Sequence, residues 1–257
     1  MTVDYESLDS LREALTGQDA VVSALGKASG LALQFKLVDA ASDMGVKRFL
    51  PSEFGADLQN ATIRTFPTYR AKVELERYIE AKVAAGAGTL TYTYVYNSML
   101  LEDALVFGAL GDLRARKVNI FDGGATSFAA TRRATVGRAV VSVLERFDQT
   151  ANRAIRVRDI LITPQRVLEI LREIGPEQEW TPVPIDTEKG IKDAKADLAS
   201  GNFNPKAFAA FAMRATFAAG HANAESYGAD NEILGIQELS ETQFGQILVQ
   251  ASNGSSS

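Results

Sequence analysis

The sequence predicts an α/β protein built on a doubly wound parallel sheet, and three observations carry that expectation. Two short, continuous apolar runs, at 20–25 (Ala-Val-Val-Ser-Ala-Leu) and 46–50 (Val-Lys-Arg-Phe-Leu), have the character of strands covered on both faces. Between them, Leu31, Phe35, Val38 and Ala41 recur at helical spacing. The connections are only a few residues long, as parallel strands joined by right-handed crossovers require.

The elements follow in order. Ser7 is placed to cap a helix carrying Leu8, Leu11 and Leu15, which Gly17 ends. The run 20–25 closes on Gly26-Lys27, and Gly45 ends the helix over 31–44. The strand 46–50 stops at Pro51, which has no N–H for a ladder and restricts the residue before it. Residues 56–68 have little periodicity and read as a loop over the strand ends. A helix is expected over 69–83, then a β-branched and aromatic strand over 89–96, closed by Asn97-Ser98. The segment 99–110 reads as a helix, and 117–121 as a strand ending in a hairpin turn at Asp122-Gly123-Gly124. A helix over 134–146 and strands at 154–158 and 160–162 come next. Thr163-Pro164, a cap followed by a first-turn proline, opens a helix that stops at Gly175-Pro176. Beyond it, Pro182 and Pro184 hold 180–185 extended, and helices are expected over 187–199, 205–219 and 241–250. The expected division is a doubly wound body over 1–175, with 108–130 an excursion toward the second region, and a smaller α/β region over 176–257 that folds over the strand ends.

Composition narrows the function. A chain of 257 residues with 46% hydrophobic and 23% charged residues has the material for a real core. The net charge of -5 gives no basic footprint, so nucleic acid is not an expected partner. The absence of cysteine removes disulfides and thiolate chemistry, and a single histidine leaves no histidine cluster, so no metal site is expected. No apolar run approaches the roughly 20 residues that span a bilayer, and the first residues lack a signal-peptide pattern. A cytoplasmic protein free of the membrane is expected.

In a doubly wound sheet, ligands bind outside the carboxyl ends of the strands. The candidate site therefore comprises Ala24, Leu25, Gly26 and Lys27 after the first run, Pro51, Ser52, Glu53 and Phe54 after the second, and Asn97 after the third. An amide at Asn97 suits a substrate carbonyl or a carboxamide. For Lys72, two readings stay open from the residues alone. It is a solvated lysine among Glu74, Glu76 and Lys82, or it turns into the crevice as acid, base or electrostatic clamp. Ser52, Glu53 and Phe54 read equally as turn and core residues. His221 reads as a helix cap or surface residue, and Phe203, Phe208, Phe211 and Phe217 read mostly as core.

Pro51-Ser52-Glu53-Phe54-Gly55 after a strand, a lysine early in the next helix, and Thr91-Tyr92-Thr93-Tyr94-Val95 together resemble the NmrA-like and isoflavone-reductase-like group of atypical short-chain dehydrogenases. The likeness runs from Val3-Asp4-Tyr5 to Asp230-Asn231-Glu232-Ile233-Leu234-Gly235. It implies a Rossmann-type sheet, a nicotinamide dinucleotide with NADP(H) ahead of NAD(H), and reduction of a small aromatic or apolar metabolite. It also implies that Lys72 is the catalytic proton donor or acceptor. Tyr69 stands one residue closer to the lysine than the tyrosine of ordinary short-chain dehydrogenases, so it is given no proton-transfer role. Two departures stand out: the family's glycine-rich loop after its first strand has no counterpart here, and Glu76-Arg77 occupies the place of a frequent basic pair. The expectation is thus an N-terminally truncated sheet lacking a strand-helix-strand unit, with an exposed edge open to homo-oligomer formation. A non-catalytic dinucleotide-sensing regulator, or an inactive fragment of a reductase, is the alternative.

Overall fold

The computed structural model of the protein describes residues 2–26, 30–86, 88–221 and 223–254. Helix α1 (Leu8–Leu15) starts at Ser7, whose hydroxyl accepts from the Ser10 N–H, and β1 (Ala20–Val22) follows. Helix α2 (Leu33–Asp43) passes through Gly45, at φ +72°, into β2 (Arg48–Leu50). Two 3-10 turns, Ile63–Thr65 and Pro67–Tyr69, carry the chain to α3 (Arg70–Ala84) and β3 (Thr91–Tyr96). Then come β4 (Met99–Leu100), α4 (Leu101–Val106), β5 (Lys117–Phe121) and β6 (Phe128–Thr131). They lead to α5 (Arg133–Glu145), β7 (Arg153–Arg156), β8 (Ile160–Ile162) and α6 (Pro164–Ile174). The chain closes with β9 (Thr181–Ile185), α7 (Thr187–Ala199), α8 (Pro205–Phe217), α9 (Asn231–Leu234) and α10 (Glu241–Ser252).

The main sheet is parallel throughout, in the order β1-β2-β3-β7, with Val21 opposite Phe49, Phe49 opposite Tyr92 and Val95 opposite Ile155. Alternation along each strand sends side chains to two cores. Phe49, Tyr94 and Tyr96 pack with Leu11, Val38 and Ile79 from α1, α2 and α3. Leu50, Val95 and Ile155 pack instead with Ala139 and Val143 of α5. Helices therefore cover both faces, and the doubly wound α/β architecture expected from the sequence is the one observed.

Arg48 is fully buried in this sheet. Its guanidinium donates to the hydroxyls of Thr91, Thr93 and Thr150 and to the Phe147 carbonyl, at 2.6–2.9 Å, and lies 4.1 Å from the Phe147 ring centroid. Burial lowers its pKa from the ordinary value, with the Asp148 charge opposing.

A second core lies beneath two smaller sheets. In one, β6 pairs in parallel with β4 and antiparallel with β8; in the other, β5 pairs in parallel with β9. Phe121 and Phe217 stack at 3.9 Å within it, beside Phe128, Trp180 and Phe244. Arg166 clamps α6 to α10 through Glu241 at 2.8 Å.

Three expectations need correction. Asp122-Gly123-Gly124 is a turn with all three residues at positive φ, but it closes no hairpin, because β5 pairs with the distant β9 and β6 belongs to the other sheet. The segment 99–110 is helical only over Leu101–Val106, since Met99 and Leu100 are taken by pairing with β6 and Gly108 and Gly111 turn the chain at positive φ. Phe203 is 73% exposed rather than core, while Phe211 and Phe217 are buried.

Candidate functional site

Parallel pairing brings the carboxyl ends of β1, β2 and β3 to one edge of the sheet, so Ser23, Pro51 to Phe54 and Asn97 leave neighbouring strands side by side. The Ser23 N–H donates to Leu50 O at 2.8 Å, and the Asn97 N–H donates to Gly55 O at 3.1 Å, which ties the three loops together. Ser52 is fixed from α2, where Gln34 Oε1 accepts its N–H at 2.9 Å.

Several buried polar atoms at this edge have no hydrogen-bond partner among the described residues. They are Ser23 Oγ, Gln34 Nε2, Asn97 Oδ1 and both carboxylate oxygens of Glu53. The great majority of buried polar groups in folded proteins are paired, so a cluster of this kind at strand ends is a candidate place for a polar ligand.

Lys72 stands in the first turn of α3 and is 8% exposed. Its Nζ lies 3.4 Å from Oε2 of Glu53, whose side chain is fully enclosed. The approach makes an ion pair at the long end of hydrogen-bond range, and no closer donor among the described residues reaches either Glu53 oxygen. Burial pushes the Glu53 carboxyl up from 4.5 to about 7, and the charge of Lys72 works in the opposite direction. One helical turn on, Glu76 is buried and accepts from the Tyr96 hydroxyl at 2.6 Å. Burial raises Glu76 to about 8, assisted by the charge of Glu53. Tyr94 donates to the Glu76 carbonyl at 3.2 Å, and burial raises both tyrosine hydroxyls above their ordinary range.

The remaining candidates separate by environment. Ala24 and Gly26 are exposed on the loop after β1, and Leu25 is half-buried. Lys27 lies outside the described residues. Pro51 is buried, and its carbonyl accepts the Glu53 N–H at 2.7 Å, which turns the Glu53 side chain inward. Phe54 packs against the core formed by Leu50, Val95 and α5. Tyr69 is buried beside Glu53, and burial raises its hydroxyl. His221 stacks on Phe66 with centroids 6.3 Å apart.

Sequence reading did not single out Ser23, Gln34, Glu76 or Tyr96 as site residues. Gln34 had a usable signal, since it is a polar residue inside an otherwise apolar helical face. Glu76 had none: between Glu74 and Arg77 it reads as part of a solvated surface, and only its contact with Tyr96 on a later strand shows otherwise. Gly30 also went unremarked, although a Cβ there would meet Leu25 Cβ at 2.5 Å and Gly26 O at 2.9 Å, a close approach that suits glycine.

A cavity of about 620 Å³ opens elsewhere, lined by Leu105, Phe107, Arg114, Asn119, Ile247 and Gln250 among others. It shares no residue with the strand-end loops and is not where the unpaired polar groups gather. Among the described residues, no helix is long and apolar enough to cross a membrane.

The strand ends thus carry amide, hydroxyl and carboxyl atoms with no partner among the described residues, and Glu53 among them faces a lysine. The sequence model of the NmrA-like family matches residues 1–212. The oxidoreductase poxI of Penicillium oxalicum is 32% identical over 177 residues, 67% of this chain and 55% of that protein. Pinoresinol reductase 1 of Arabidopsis thaliana is 30% identical over 194 residues, 69% of this chain and 57% of that protein. This chain thus spans little more than half the length of these relatives. Among solved structures, AtPrR2 with NADP+ and (+)pinoresinol superposes with a TM-score of 0.75 at 21% identity, covering 95% of this chain and 80% of that one. An isoflavone reductase superposes with a TM-score of 0.71 at 19% identity, covering 95% and 79%. These likenesses show the fold, and the family match, together with the Pro51 to Gly55 loop and Lys72, identifies the chain: it belongs to the NmrA-like family.

Proposed function

We propose that the protein is an NADPH-dependent reductase of a small aromatic or otherwise apolar metabolite, with Lys72 giving or taking the proton that accompanies hydride transfer. The observation that carries this reading is a cluster of buried, unpaired polar atoms on Ser23, Gln34, Glu53 and Asn97 beside a nearly enclosed lysine at adjacent parallel strand ends. Each such group costs about 1–3 kcal/mol while unpaired, a penalty that a polar ligand seated there relieves.

In this reading Ala24, Leu25, Gly26 and Lys27 after β1, Pro51, Ser52, Glu53 and Phe54 after β2, and Asn97 after β3 frame the dinucleotide. The bound nicotinamide supplies the hydride. Lys72 Nζ, steadied by Glu53, donates its proton to the substrate atom on which negative charge builds, and takes it back in the reverse direction. Relatives named as oxidoreductases and as a pinoresinol reductase support a phenolic substrate class, and a solved neighbour holding NADP+ supports NADPH over NADH. The reading also takes a two-part chain, divided near 175, acting in the cytoplasm. The one-sided pairing of β1 among the described strands leaves an edge at which a homo-oligomer can form.

Titration with NADPH and with NADH, followed by nucleotide fluorescence, and NADPH oxidation over a panel of phenolic metabolites test the reading. Saturable micromolar NADPH binding with turnover that Lys72→Ala abolishes is the expected result. Binding without any turnover would favour a dinucleotide-sensing regulator, and undiminished turnover in Lys72→Ala would remove the assigned role of the lysine.

A further inference from the structure

We infer that Glu53 is the positioning residue of Lys72: its enclosed carboxylate holds the lysine amine at the strand-end crevice, and the two groups are coupled in charge. The inference rests on the reading of Lys72 as the proton-handling group and adds the partner that governs it.

The geometry is built by the turn after β2. Pro51 ends the strand, its carbonyl accepts the Glu53 N–H at 2.7 Å, and the Glu53 side chain is left with no exposed surface. Neither carboxylate oxygen receives a hydrogen bond from any described residue, so the Lys72 amine at 3.4 Å is the group that answers its charge. Lys72 in turn sits in the first turn of α3, at the helix end that carries partial positive charge, and Glu53 is the carboxylate paired with it there.

Among ionisable groups, Lys72 of α3 is the one whose charge lowers the Glu53 carboxyl, against the upward push of burial. The charge of Glu53 in turn acts on Tyr69 before α3, on Glu76 of α3, and on Tyr94 and Tyr96 of β3, raising each of them. Without Lys72, burial is left as the main influence on Glu53 among the described groups.

The test follows the side-chain carboxyl signals of glutamate labelled with carbon-13 by NMR as pH is varied, with Glu53 identified by the loss of its signal in Glu53→Gln. In the wild-type protein the Glu53 midpoint is expected near 7. In Lys72→Met it is expected to climb by about one to three pH units, the usual influence of an opposite charge at this range. Should Glu53→Gln not fold, Glu53→Asp, which removes the same glutamate signal, makes the assignment. Neither coenzyme nor substrate is needed, so failure of the reductase reading leaves this result separate. A Glu53 midpoint in the ordinary carboxylate range, or one unmoved by Lys72→Met, overturns the inference. Once NADPH oxidation is observed, Glu53→Gln lowers kcat by about tenfold or more, beyond any rise in KM; a wild-type kcat in that variant also overturns it.

Discussion

Replacing Glu76 by glutamine keeps the side-chain oxygen that accepts from Tyr96 and removes the ionisation. The variant is predicted to gain stability on the alkaline side. Folding holds this carboxyl at about 8 rather than 4.5, through burial first and the charge of Glu53 second. Over that interval the native state keeps a proton that the unfolded chain has lost. Stability from this group is therefore fully present at low pH and is lost as the pH climbs from 4.5 to about 8. At about 1.4 kcal/mol per pH unit the loss amounts to roughly 5 kcal/mol. Glu76 is only 3% exposed, so solvent screening takes little from that figure. Urea unfolding of the two proteins from about pH 5 to about pH 9 measures it directly. The curves should nearly meet at the acid end, with the variant more stable by several kcal/mol at the alkaline end. Parallel pH profiles for the two proteins would refute the claim that Glu76 is buried as an acid.

Two further substitutions probe the scaffold and the crevice. Arg48→Met removes a buried guanidinium that joins β2 to β3 and to the turn at Asp148–Thr150, and deletes its 2.6 Å hydrogen bond to the Phe147 carbonyl. A loss of roughly 3 kcal/mol in urea unfolding is expected. An unchanged midpoint would show that the hydrogen bonds merely offset the burial of the charge. Ser23→Ala deletes a buried hydroxyl that has no partner among the described residues, so stability should hold or rise by up to about 1–3 kcal/mol. NADPH affinity should fall by about tenfold, the worth of one ligand hydrogen bond. A variant that loses stability and keeps its affinity would remove Ser23 from the proposed nucleotide crevice.

The main sheet was legible because its signals are local. Pro51 stops β2, Gly45 and Gly17 end helices, and the apolar runs before them carry no competing period. The second core was less legible because its strands pair across long stretches of chain. Met99 and Leu100 become strand only by meeting Ala130 and Thr131, and β5 finds its partner at Thr181–Ile185. Phe128–Thr131, two alanines between Phe and Thr, has too little alternation to announce a strand. The site divides in the same way. Lys72 and the Pro51 to Phe54 loop can be found by position after a strand and along a helix. That Glu53 faces the amine, and that Glu76 is sealed beneath Tyr96, depends on how α3 packs against the strands.

The claim on which the functional account turns is that Lys72 borders the nucleotide crevice. Peptide mapping after brief acetylation, with and without saturating NADPH, tests it most directly, with the exposed Lys189 as internal reference. The account predicts that NADPH protects Lys72 while Lys189 reacts as before. Equal labelling of Lys72 in the presence and absence of bound NADPH would contradict it.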